Sequence, residues 1–124
     1  MEQYIRRCFQ LARLGAGHVS PNPLVGAVVV HADRIIGEGW HRRYGEAHAE
    51  VNALQAVAEA DRHLIPHSTL FCNLEPCFHF GKTPPCVDLI LKEKIPRVVV
   101  SNTDPNPLVA GQSIQKLRAA GVEV

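Results

Sequence analysis

Leu24-Val25-Gly26-Ala27-Val28-Val29-Val30 is an unbroken apolar run, and a valine-rich run of this length reads as a β-strand with neither face left for water. Such a strand lies inside a sheet, and helices must flank it. Ser20-Pro21-Asn22-Pro23 leads into it. Each proline gives up an amide donor and biases the residue before it to extended geometry, so this segment is a rigid loop. Arg34 to Trp40 is a second short extended run beyond Ala32-Asp33, and so brief a link makes the two strands an antiparallel hairpin.

The rest of the chain supplies the helices. Tyr4, Ile5, Cys8, Leu11, Ala12 and Leu14 recur at steps of three and four within residues 2 to 15, one apolar face of a helix that ends near Gly15 and Gly17. Ala47 to Ala60 is alanine-rich, with Val51, Leu54, Val57 and Ala58 at helical spacing, and predicts a long helix. A strand over Ser68 to Leu74, a helix from Pro84 or Pro85 to Lys94, a strand over Arg97 to Ser101 and a helix over Gln112 to Ala120 follow, and Val122-Glu123-Val124 begins a last strand. The expectation is a three-layer α/β/α domain over residues 1–124 with a mixed central sheet of about five strands, helix-connected neighbours being parallel.

Composition narrows the partners. With 46% hydrophobic and 20% charged residues the chain of 124 can build one core, so disorder and fibrous repeats are excluded. Thirteen Lys and Arg against twelve Asp and Glu give a formal charge of +1, which offers no field to gather nucleic acid or an anionic membrane. No apolar stretch is long enough for a membrane span, and the charged N-terminus lacks a signal peptide's apolar core. The expected setting is the cytoplasm, and the expected ligand is small. Four cysteines are too few for a disulfide scaffold, so clustered ones read better as metal ligands or catalytic groups.

Three potential ligands stand where this architecture brings loops together: His48, opening the long helix, and Cys77 and Cys86 after the third strand. Zinc takes imidazole nitrogen and thiolate sulfur in tetrahedral geometry, and three protein ligands leave a fourth position for water. His48 and Cys86 both lie near a helix N-terminus, where a thiol ionises most readily. Glu50 follows His48 by two residues, placed to move protons to and from that water rather than to ligate. A closed structural zinc, with His79 as fourth ligand, is the rival reading. His31, His63, His67, Cys8 and Cys72 read as structural.

His48-Ala49-Glu50 and Pro76-Cys77…Cys86 resemble the H-x-E…P-C-x-x-C signature of the zinc-dependent nucleobase deaminases, except that eight residues separate the two cysteines. The longer insert, ending Gly81-Lys82-Thr83-Pro84-Pro85-Cys86, resembles the riboflavin-biosynthesis pyrimidine deaminases, as do Ser20 to Ala27, His48 to Leu54 and Asp104-Pro105-Asn106-Pro107. The resemblance covers nearly the whole chain. It implies the cytidine deaminase-like fold, a bound Zn2+ and deamination of 2,5-diamino-6-ribosylamino-4(3H)-pyrimidinone 5′-phosphate to 5-amino-6-ribosylaminouracil 5′-phosphate with release of ammonia.

Carried onto this sequence, the resemblance makes His48, Cys77 and Cys86 the zinc ligands and Glu50 the proton shuttle. Asn22 and His41 would contact the pyrimidine, Lys82 the phosphate and Asp104 or Asn106 the ribose end, with His79 also among the substrate-recognition residues. Asn22, Asp104 and Asn106 also suit ordinary turns beside proline, and Lys82 a solvated loop. The family implies a homo-oligomer and a reductase, separate or fused, although no reductase domain is expected within residues 1–124. Two alternatives stay open: a deaminase of another base, such as cytosine, guanine or a tRNA adenosine, and a non-catalytic module with a structural zinc.

Overall fold

The structure, a computed structural model, describes residues 2–20, 23–74, 86–102 and 111–124. The elements run α1 (Glu2–Ala12, extended by a 3-10 turn over Arg13–Gly15), β1 (Gly26–His31), β2 (Arg34–Trp40), α2 (Ala49–Gln55), a 3-10 segment over Glu59–His67, β3 (Thr69–Cys72), α3 (Cys86–Lys92), β4 (Arg97–Val100) and α4 (Gln112–Ala119).

The sheet order is β2-β1-β3-β4. The apolar run is therefore an inner strand, antiparallel to β2 on one side and to β3 on the other, while β3 and β4 are parallel. Its alternating side chains feed two cores. Ala27 and Val29 pack with Leu70, Cys72 and Val98 beneath α2, α3 and α4, whereas Val28, Val30 and Phe71 pack against Tyr4, Cys8 and Leu11 of α1. This is the three-layer, mixed-sheet arrangement expected. The hairpin turn is made by Ala32 and Asp33, both at positive φ, the geometry that matches strand twist in a two-residue link.

Two expectations need correction. The sheet has four strands, not about five: Val122-Glu123-Val124 contributes a single parallel bridge from Glu123 to Arg97, held by hydrogen bonds from the Glu123 amide to the Pro96 carbonyl and from the Val98 amide to the Glu123 carbonyl. The helix expected over Ala47 to Ala60 is α2 alone, followed by the separate 3-10 segment. Arg62 donates to the Leu54 carbonyl at 3.1 Å and Val57 turns inward to become buried, so packing ends the helix where alanine propensity would have continued it.

α2 lies unusually close to β2. Gly37 and Gly39 face the backbone of Ala53, and Gly39 also faces Ala49 and Asn52, with no room for a Cβ at either glycine. Among the described residues no helix is long and apolar enough to cross a membrane.

Candidate active site

One end of the sheet gathers the exits of β2, β3 and β4, the entry of β1 and the starts of α2 and α3. His48 is the N-cap residue of α2, Glu50 sits in its first turn, and Cys86 is the first residue of α3. The fold brings these three together, with one candidate ligand atom from each lying within 4.8 Å of the others. The Cys86 Sγ is 3.4 Å from His48 Nδ1. Glu50 and Cys86 are buried at 3% and 1% exposure, and His48 is partly buried.

The donor set fits zinc. Zn–N near 2.0–2.1 Å and Zn–S near 2.3 Å at a tetrahedral angle put the two donor atoms about 3.6 Å apart, close to the spacing found. Both donors occupy helix starts, where unpaired backbone amides favour the thiolate. The carboxylate of Glu50 is close enough to act on whatever occupies the same space. Cys77, the expected third ligand, lies outside the described residues, as do Asn22, His79, Lys82, Asp104 and Asn106.

His41 is brought to the site as expected. It is buried, its ring meets the His48 ring edge-on with centroids 5.0 Å apart, and its Nδ1 donates to the Ala47 carbonyl at 3.2 Å. A carbonyl only accepts, so the proton sits on Nδ1. Burial pushes the His41 pKa down, which favours the neutral ring.

The sequence analysis assigns no role to Asn52, yet its Nδ2 donates to the Trp40 carbonyl at 2.8 Å and the Ala47 carbonyl at 3.3 Å. That carboxamide closes the loop between His41 and His48 and fixes both. The available signal is an asparagine, a poor helix former, inside an alanine-rich helix.

Cys8 and Cys72 stay out of the site. Burial pushes the Cys8 thiol up to about 12 and the Cys72 thiol well above its ordinary value, with the Glu50 charge adding to both, and Cys8 donates to the Phe71 carbonyl. Neutral thiols of this kind are packing residues.

The sequence profile of the cytidine and deoxycytidylate deaminase zinc-binding region matches residues 1–102. The chain belongs to this deaminase family. The deaminase is 48% identical over 121 residues to the diaminohydroxyphosphoribosylamino-pyrimidine deaminase of Buchnera aphidicola (subsp. Schizaphis graminum), an alignment covering 98% of this chain and 80% of that protein. It is 51% identical over 123 residues to the riboflavin biosynthesis protein RibD of Bacillus amyloliquefaciens, covering 99% of this chain and 32% of that one. The crystal structure of a Thermotoga maritima diaminohydroxyphosphoribosylaminopyrimidine deaminase/5-amino-6-(5-phosphoribosylamino)uracil reductase superposes with a TM-score of 0.90 at 47% identity, covering 99% of this chain and 35% of that one. The deaminase thus spans about a third of the length of the Bacillus and Thermotoga proteins.

Proposed function

We propose that the deaminase hydrolyses 2,5-diamino-6-ribosylamino-4(3H)-pyrimidinone 5′-phosphate to 5-amino-6-ribosylaminouracil 5′-phosphate and ammonia. The observation that carries this reading is the convergence of His48, Glu50 and Cys86 in a chain so similar to riboflavin-biosynthesis deaminases over nearly its whole length. His48, Cys86 and Cys77 would hold Zn2+. Bound there, zinc supplies Lewis acidity that lowers the pKa of a water to about 7.

Glu50 then does the proton work. Its carboxylate takes a proton from the attacking water and delivers it to the ring nitrogen beside the amino-bearing carbon. It passes a second proton to the amino group as the carbon–nitrogen bond breaks, so one water is consumed and one ammonia leaves. Burial keeps Glu50 from exchanging these protons with bulk solvent. His41, neutral and fixed by Ala47, offers its Nε2 side towards the pyrimidine. Asn22, His79, Lys82, Asp104 and Asn106 are assigned to substrate by the resemblance, Lys82 to the phosphate and Asp104 or Asn106 to the ribose end.

We assign the protein to the cytoplasm, because Cys8, Cys72 and Cys86 are free thiols and a thiolate ligand needs a reducing compartment. Its partners are further copies of itself and a reductase, separate or fused, which would take the uracil product.

The test is ammonia release by zinc-loaded protein offered the diaminopyrimidine phosphate, cytosine, guanine and a cytidine nucleotide in parallel. Turnover of the first alone, lost on chelation and in His48→Ala and Cys86→Ser with their zinc content, is the expected result. Turnover of another base in its place, or none by the loaded protein, overturns the reading.

A further inference from the structure

Asn73 follows β3 directly and is buried at 7% exposure. β1 and β3 pair antiparallel from Val30 opposite Thr69 to Ala27 opposite Cys72, so the next pair in register would be Gly26 opposite Asn73. There the Asn73 side chain takes over from the ladder. Its Oδ1 accepts from the Gly26 amide at 2.8 Å and its Nδ2 donates to the Leu24 carbonyl at 3.1 Å. The Asn73 carbonyl in turn accepts from Asn102 Nδ2 at 3.2 Å, just past the end of β4.

Between the two pinned groups lies Val25, whose carbonyl accepts from the His41 amide at 3.0 Å. The Leu24–Gly26 strap is therefore held by Asn73 on one side and holds His41 on the other. His48, Glu50 and Cys86 hang on the starts of α2 and α3, to which these Asn73 bonds do not run.

We infer that Asn73 is a positioning residue for the substrate side of the site: its carboxamide sets the Leu24–Gly26 strap, and the strap sets His41. This deepens the deaminase reading and rests on it. A carboxamide is suited to the task because it offers one acceptor and two donors on a rigid plane, matching a carbonyl and an amide two residues apart. Loosening it moves a substrate contact without touching the donor atoms for the metal, and misplacement by an ångström is enough to weaken binding greatly.

The experiment uses zinc-loaded wild type, Asn73→Ala and Asn73→Asp. Aspartate keeps an acceptor for the Gly26 amide and loses the donor to Leu24, and it decides the matter should the alanine variant not fold. The expected result is unchanged zinc content, a rise of about tenfold or more in KM for the diaminopyrimidine phosphate with kcat within about threefold, and faster amide exchange at Gly26 and His41. Loss of zinc together with kcat at constant KM would overturn the inference, as would unchanged exchange at His41. If the wild type deaminates none of this substrate, the functional reading fails by itself, and exchange at His41 still decides whether Asn73 sets that residue.

Discussion

Gly39 of β2 lies against Ala53 of α2 with no space between them for a methyl group. The two elements meet backbone to backbone, which fixes how deeply α2 sits on the sheet and hence where its first turn presents His48 and Glu50. Helix depth and site geometry are one property here.

Gly39→Ala should therefore damage stability and metal affinity together. The atoms a Cβ would strike are backbone atoms of Ala53, Ala49 and Asn52, which cannot rotate away, so the helix itself must shift. The expected cost is about 1–3 kcal/mol by denaturant unfolding, with weaker zinc binding in a competition titration. A variant with wild-type stability and affinity would show that α2 tolerates displacement.

Glu50→Gln separates proton transfer from metal binding. Glutamine keeps the shape and burial of the side chain but cannot take a proton from water. Zinc content should stay at the wild-type level while kcat falls by about 10²–10⁴-fold, measured by ammonia release. Normal turnover would remove Glu50 from the chemistry, and loss of zinc would make it a ligand.

Alkaline pH should destabilise the fold through Cys8. Its thiol ionises at about 12 in the folded chain against an ordinary value of 9.0. The unfolded chain therefore gives up this proton first and, above pH 9, binds fewer protons than the native state. Stability conferred by the neutral buried thiol is complete below that pH and is lost as pH rises towards the folded value, at about 1.4 kcal/mol per unit. Cys72, shifted the same way by burial, adds to the slope. Denaturant midpoints at about pH 8 to 10.5 should fall less steeply in Cys8→Ala than in wild type; equal slopes would remove Cys8 from the effect.

Much of this protein could be read along the chain. The inner strand, the antiparallel hairpin, the alternation of helices and strands and the gathering of His48, Glu50 and Cys86 follow from patterns only a few residues wide, because side-chain period and helix starts are local properties. α2 is the instructive exception. Its alanines favour helix to Ala60, and it stops at Gln55 because Val57 is drawn into the core and Arg62 takes the Leu54 carbonyl.

The sequence by itself determined which residue types could hold zinc and move protons, since that chemistry belongs to imidazole, thiolate and carboxylate wherever they stand. Only the tertiary structure decided what holds them in place. Asn52 and Asn73 act through backbone groups of Trp40, Ala47, Leu24 and Gly26, and every residue carries the same amide and carbonyl. No residue pattern can announce which of those identical groups will lie within reach of a carboxamide until the chain has folded.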